Sequence, residues 1–291
     1  MHIKAANLHL AYGHDTVLHD LNFEINEPKI YGLLGRNGAG KTSLLSIIGS
    51  FREATSGNLR INDVVPFENA HIMQEVTFMY NKDFNGETDS PSSIVKYIGR
   101  YRPHFDLEYA MELIKKFKLE GKKSVAKLSK GKQSAFNVVV GLASRSPITI
   151  FDEVYLGMDA PARDLFYKEL LKDQELHPRI IILSTHLVSE MDYLFDEVII
   201  IHEGRIILQE PYDAIVSRGV TVVGSKDAVD RFAADKEILN EEQLGDTRSV
   251  TIYGEMNEAD RLSASELGLT IGPVSLQDLF IQLTKEDDEH A

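Results

Sequence analysis

The chain has 291 residues, enough for one large domain plus a small one, or for two ordinary ones. Its composition, 43% hydrophobic and 26% charged, is that of a soluble globular protein, and no apolar run approaches the ~20 residues that span a bilayer. A net charge of −14 argues against a general nucleic-acid or anionic-lipid surface, and the lack of cysteine excludes disulfides and thiolate metal sites.

Residues 2–11 and 21–26 alternate apolar and polar (Leu8, Leu10; Leu21, Phe23, Ile25), which predicts half-buried strands around a turn at Ala11-Tyr12-Gly13-His14. Tyr12 reads equally well there as a turn residue half-packed on the surface. A turn at Glu27-Pro28-Lys29 leads into a short apolar strand over 30–34. Then come Gly35-Arg36-Asn37-Gly38-Ala39-Gly40-Lys41-Thr42 and a helix opening at Ser43. Strand, glycine-rich loop and helix is the context that makes G-x-x-x-x-G-K-[ST] a phosphate site. Glycines 35, 38 and 40 let backbone N–H groups turn inward, and the helix adds its positive N-terminal end. Lys41 can reach β- and γ-phosphates, and the Thr42 hydroxyl can take one Mg²⁺ position. The stretch predicts a nucleoside triphosphate site.

Further along, 55–58 reads as a turn, 59–61 as a short strand and 75–80 as another strand. From 82 the spacing becomes helical (Ile94, Val95, Ile98, Tyr109, Leu113, Ile114, Phe117), predicting a helical insertion over 82–145. Within it, Leu128-Ser129-Lys130-Gly131-Lys132-Gln133 opens a helix over 134–144, with Ser129 placed as its N-cap. An apolar strand over 148–151 ends in Asp152-Glu153, Asp159 lies in the next turn, and a helix follows (Leu165, Tyr167, Leu170, Leu171). A further apolar strand ends in Ser184-Thr185-His186, and strand–turn–strand over 197–208 closes the region. Singly these features say little. Ser129 can be a plain cap, acids at strand ends are common, and a lone histidine there is usually structural.

In one chain and in this order, they resemble the ATP-binding-cassette (ABC) ATPase family over residues 2–211. The resemblance implies an α/β P-loop cassette with an antiparallel β-subdomain and a helical insertion. It also implies ATP and Mg²⁺ as ligands, and these roles. Tyr12 matches the aromatic that stacks on adenine, and 35–43, with Asn37, is the phosphate loop. Asp152 and Thr42 hold Mg²⁺, Glu153 is the general base, and His186 and Lys41 contact the γ-phosphate. Ser129 and Gly131 match the signature that binds an ATP held by a second, head-to-tail copy, and Asp159 lies at the same seam. The implied partners are a second copy of the chain and polytopic permease subunits. The implied place is the inner face of the cell membrane, and nucleic acid is not among the partners.

The sequence departs from the family at several points. The signature reads LSKGK where LSGGQ is usual, Val154 replaces the proline after the acidic pair, and Asn81 stands at the Q-loop position that faces the metal. The run Asp-Glu-Val-Tyr-Leu-Gly-Met-Asp is similar to bacterial exporter cassettes for antimicrobial peptides, drugs or lipids. Residues 212–291 lie outside the cassette, and from 221 onward carry 6 Lys/Arg against 16 Asp/Glu. They read as strand, helix, strand, strand, helix, strand, helix, a small acidic α+β domain of split βαβ pattern, with a disordered tail over 285–291. The rival reading is a soluble cassette ATPase acting on ribosomes or DNA, which the single motif set and the acidic extension disfavour.

Overall fold

Alternating apolar residues build the first layer. In the computed structural model, which describes residues 1–217, 219–254 and 256–285, β1 (Ile3–Tyr12) and β2 (Asp15–Ile25) form a hairpin that buries Ile3, Leu8, Leu10, Leu18, Leu21 and Ile25. Bulges interrupt its register. Asn7 and Asp20 take left-handed φ values of 49° and 53°, and Asn7 Nδ2 donates to Asp20 Oδ1 at 2.7 Å. The bulges disturb the period-2 pattern, which is why β2 reads from sequence only over its second half.

After β2 the fully buried β3 (Ile30–Leu34) runs into α1 (Lys41–Ile48), and β4 (Ser56–Ile61) returns to pair antiparallel with β1. A six-residue helix, α2 (Ala70–Glu75), precedes β5 (Val76–Tyr80). The sequence does not announce α2, because only Ile72 of it is buried, and Glu75 belongs to this helix rather than to the strand. The insertion consists of α3 (Pro91–Ile98), α4 (Leu107–Lys116) and α5 (Lys130–Ser144). A side chain caps each start: Ser90, Asp106 and the expected Ser129 accept from the N–H groups of Ser93, Tyr109 and Lys132. Ser129 caps α5 directly, so the helix begins at Lys130 rather than at 134.

Next come β6 (Ile148–Asp152), α6 (Ala160–Leu176), β7 (Ile180–Thr185), α7 (Val188–Met191), β8 (Glu197–His202) and β9 (Arg205–Pro211). The large sheet has the order β5-β6-β7-β3-β8-β9, parallel from β5 through β8. Its inner strands are continuous apolar runs, as a sheet covered on both faces requires. Register aligns the strand ends: Tyr80 lies opposite Asp152, Asp152 opposite Ser184, and Leu34 opposite Thr185. Residues just beyond those ends, Gly35, Asn81, Glu153 and His186, are therefore delivered to one edge of the sheet.

The chain divides into two compact units, Met1–His186 with Tyr193–Gln209, and Leu187–Asp192 with Glu210 onward. The second unit contains α7, α8 (Tyr212–Ser217), β10 (Gly219–Ser225), α9 (Lys226–Ala233), β11 (Glu237–Leu244), β12 (Thr247–Tyr253), α10 (Glu258–Glu266), β13 (Thr270–Pro273) and α11 (Leu276–Leu283). Its antiparallel sheet, β11-β12-β10-β13, is a split βαβ arrangement whose core includes Val222, Val229, Phe232, Val250, Ile252 and Leu269. The N–H of Ser189 in α7 donates to Gln277 Oε1 in α11, which groups 187–192 with this unit although composition gives no hint of it. Residues 286–291 of the expected tail lie outside the described residues.

Candidate active site

The loop after β3 turns because Gly40 sits at φ 105°, left-handed geometry that a side chain resists, and a Cβ there would meet Leu18 at 2.6 Å. Gly35 and Gly38 complete the turn, with Arg36 and Asn37 exposed at its tip. The N-terminus of α1, with its unbonded N–H groups and positive dipole end, thus opens onto the loop. Lys41 is only 6% exposed. Its Nζ donates back across the loop to the carbonyls of Gly35 (2.7 Å) and Arg36 (3.2 Å), and it stands 3.6 Å from Glu153 Oε1.

Thr42 Oγ1 donates to Asp152 Oδ2 at 2.7 Å, and Ser184 Oγ donates to the other oxygen of the same carboxylate. Asp152 is 5% exposed, so two hydroxyls satisfy a buried carboxylate. The chain then reverses at Glu153, whose left-handed φ of 49° is a conformation that costs about 1–3 kcal/mol for a residue with a side chain. The reversal gives adjacent carboxylates different surroundings. Asp152 meets Thr42 and Ser184, whereas Glu153 meets Lys41 and, at 3.2 Å, His186 Nδ1. Buried Tyr155 sets the histidine: its hydroxyl lies 2.8 Å from Thr185 Oγ1 and accepts from the His186 N–H at 3.4 Å. Nothing in the sequence alone singles out Ser184 or Tyr155 for these contacts. The signal for Ser184 is its register opposite Asp152, which exists only once the strands are paired.

Asn81 is not brought to the Thr42–Asp152 pair by a hydrogen bond among the described residues. Its amide N–H donates to the Glu153 carbonyl at 3.1 Å, and its amide oxygen stands 3.5 Å from Ser134 Oγ. Tyr12 reaches the loop helix, its hydroxyl 3.3 Å from Ser43 Oγ.

Ser129, Gly131 and Asp159 form a second group, lining a groove of about 500 Å³. Ser129 and Asp159 cap α5 and α6, the latter accepting from the Ala162 N–H at 3.0 Å. Gly131 is required by close approach, since a Cβ there would lie 2.4 Å from the Gly157 carbonyl oxygen. Ser134 Oγ donates to the Leu156 carbonyl at 2.6 Å, so the start of α5 and the 156–159 turn are one packed piece. Among the described residues the side chains of Ser129 and Asp159 make no bond to Thr42, Asp152, Glu153 or His186.

The donor set suits Mg²⁺: the Thr42 hydroxyl and Asp152 carboxylate are hard oxygens in contact, and that ion commonly takes one or two such protein ligands beside phosphate oxygens. The loop, Lys41 and the α1 N-terminus suit a polyphosphate.

The sequence profile of the ABC transporter family matches residues 18–155. The chain contains an ABC transporter ATPase domain. The match takes in the phosphate loop, Asn81, Ser129, Gly131, Asp152 and Glu153, while Tyr12, Asp159 and His186 fall outside it. Cassettes of this family hydrolyse ATP, and the domain is an ATPase of that kind. An uncharacterised ABC transporter ATP-binding protein of Methanocaldococcus jannaschii is 28% identical over 208 residues, 70% of this chain and 75% of that one. The bacitracin transport ATP-binding protein of Bacillus licheniformis is 27% identical over 301 residues. The Nod factor export ATP-binding protein I of Burkholderia lata is 26% identical over 299. Both alignments cover 97% of this chain and 96% of the relative. Among solved structures, the ATP binding subunit of an ABC transporter gives a TM-score of 0.66 at 23% identity, covering 74% of this chain and 92% of that one. A dimeric ATP-binding cassette in a post-hydrolysis state, bound to ADP and Pi, gives 0.62 at 21%, covering 72% and 98%. At such identities the likeness shows the cassette fold.

Proposed function

We propose that the chain is the ATPase subunit of an exporter, working as a head-to-tail homodimer around two Mg-ATP on separate membrane-spanning subunits. The observation that carries this is the meeting of Lys41, Glu153 and His186 beside the Thr42–Asp152 pair, with Ser129, Gly131 and Asp159 held apart on their own groove. Such a division leaves half of each site to be supplied by another copy. The exporter reading is supported by relatives named for bacitracin transport and Nod factor export, whose alignments run through the C-terminal unit as well.

In this reading the triphosphate lies along the 35–43 loop with Lys41 on its β- and γ-phosphates, and adenine stacks on Tyr12. Mg²⁺ held by Thr42 and Asp152 would supply charge neutralisation at the phosphates. Glu153 accepts a proton from water as the oxygen bonds to the γ-phosphorus and the bond to the ADP oxygen breaks. His186, oriented by Tyr155 and in contact with Glu153, donates to the γ-phosphate. Ser129 and Gly131 of one copy meet the γ-phosphate of the other, with Asp159 at the seam.

No described helix is long and apolar enough to cross a membrane, so the pore in this reading belongs to other polypeptides and places the chain on the inner face of the membrane. Their dock would be the groove lined by Met79, Tyr97, Tyr101, Arg102 and Val140, where the two tyrosine rings meet at a 49° tilt with centroids 4.9 Å apart and stay 62% and 66% exposed. In this reading nucleic acid is not among the partners, in keeping with a net charge of −14. The test is size exclusion of Glu153→Gln with ATP, followed by Ser129→Arg in that background. A dimer peak that needs ATP and is lost with Ser129→Arg is expected, and an equal dimer in both would refute the composite site. Tagged chain extracted from membranes should carry a polytopic protein in fixed ratio. Recovery on ribosomes instead would overturn the exporter reading.

A further inference from the structure

The end of α1 throws one cation onto the aromatic proposed for the base. Gly49 closes the helix, its N–H donating to the Leu45 carbonyl, and Ser50 then takes a left-handed φ of 61° that reverses the chain. After the reversal Phe51 is anchored on one side, edge-on to Phe78 (5.5 Å) and Tyr80 (6.2 Å). Arg52 consequently projects toward Tyr12, its guanidinium carbon 4.5 Å from the ring centroid. Among the described residues that guanidinium makes no ion pair and no hydrogen bond, so the ring face is its one recorded interaction. Tyr12 is held at a second point by the hydroxyl contact with Ser43 Oγ, and 41% of the residue stays exposed.

We infer that Arg52 is a positioning residue for the nucleotide base: it backs one face of the Tyr12 ring and holds the ring upright so that the opposite face receives adenine. This rests on the reading of Tyr12 as the base platform. The physics is ordinary. An aromatic side chain on a hairpin turn has rotamers to lose on binding, and a ring held at its hydroxyl and at one face has lost them beforehand. Arginine suits the task better than lysine because its flat cation can lie on a ring. It also accounts for Arg52 itself, an exposed cation on an acidic chain that pairs with a ring instead of a carboxylate.

The experiment measures ADP and inorganic tripolyphosphate binding to the full chain by calorimetry, tripolyphosphate having phosphates but no base. Arg52→Ala should weaken ADP about two- to fivefold, the size of an exposed cation–π contact, and leave tripolyphosphate unchanged. Arg52→Lys should recover part of the loss. In a Tyr12→Ala background, itself weaker for ADP, Arg52→Ala should add nothing, since the two act as one unit. Equal losses for ADP and tripolyphosphate would overturn the inference, making Arg52 a phosphate contact. So would an undiminished Arg52→Ala effect without the ring, or no effect with it. If Tyr12→Ala alone leaves ADP affinity unchanged, the base-platform reading is what fails.

Discussion

Gly131→Ala separates a packing role from a composite-site role, because the obstruction is backbone and cannot rotate away. The added Cβ would sit 2.4 Å from the Gly157 carbonyl oxygen, so the gap must widen by about 1 Å to reach ordinary contact at 3.4 Å. Overpacking of that kind costs about 1–3 kcal/mol, while alanine recovers about 1 kcal/mol over glycine in a helix. The net destabilisation is then at most about 2 kcal/mol, or a melting shift of up to about 8 °C for a unit of this size. Function should suffer more. The shift moves Ser129 against Asp159 in the groove they share, and a displacement of about 1 Å can cost ~10²-fold in rate when it misplaces a group that must meet the reacting phosphate. Lys41, Thr42 and Asp152 are untouched, so ADP binding to the single chain should hold. The assay pairs calorimetric ADP titration with ATPase rates at protein concentrations that favour the dimer. Wild-type turnover together with wild-type melting would show that the seam yields freely, and the reasoning from close approach would fall.

Three further outcomes are expected. Glu153→Gln should lower ATP turnover ~10²–10⁴-fold, the range of general-base removal, with ATP still bound; turnover within a few-fold of wild type would take Glu153 out of the role. Asn81→Ala removes a bond to the Glu153 carbonyl but nothing on Thr42 or Asp152, so isolated ATPase activity should stay within about threefold, the loss of one exposed hydrogen bond. In the proposed exporter assembly, stimulation of this variant by cargo should weaken, and cross-links from positions 85–101 to a membrane subunit would locate the contact; links from the C-terminal unit alone would place the coupling elsewhere. Asp173→Ala leaves buried Arg179 without its carboxylate, while Arg145 keeps Asp106, and should cost about 3–5 kcal/mol in urea unfolding, the range for breaking a buried ion pair; a loss under about 1 kcal/mol would mean that water replaces the carboxylate without penalty.

What the sequence discloses is whatever depends on a local pattern. The phosphate loop is legible because its glycines, lysine and threonine must be contiguous to do their work, and the cap at Ser129 because a helix start is a local event. Asp152 and Glu153 are legible as acids at a strand end, but their division of labour is not. It depends on one left-handed residue at 153 and on Ser184 lying across the sheet. Tyr155 is invisible for a similar reason. It looks like a core aromatic, and only the return of β7 brings Thr185 and His186 to its hydroxyl. The helix at 70–75 escaped because its burial is a single residue, and 187–192 because its partner, α11, lies some ninety positions away in the chain.

The polar network between the insertion and the rest of its unit is the largest feature that no pattern reveals, and it bears on how the signature helix is held. On α6, Glu169 and Asp173 look like surface acids, yet both are buried. Glu169 takes Lys116 Nζ at 2.7 Å and the Tyr109 hydroxyl at 3.4 Å from α4. Asp173 takes Arg179 at 2.8 Å and Arg145 at 3.3 Å, and Arg145 also binds Asp106, the cap of α4, while lying over the Tyr109 ring. Burial, followed by the charges of Asp173 and Glu169, pushes the Tyr109 hydroxyl well above the usual tyrosine range, so it stays a donor at any working pH. Buried ion pairs seldom add net stability over apolar packing, but they are intolerant of misalignment, because a stranded charge is expensive. Here they join α4, the end of α5 and α6, and α5 and α6 carry at their other ends Ser129 and Asp159. The two caps on the groove are thus fixed relative to each other from both ends of their helices, by the Gly131–Gly157 approach at one and by Arg145 and Asp173 at the other. That is the rigidity a surface needs if it is to meet a phosphate held by another copy.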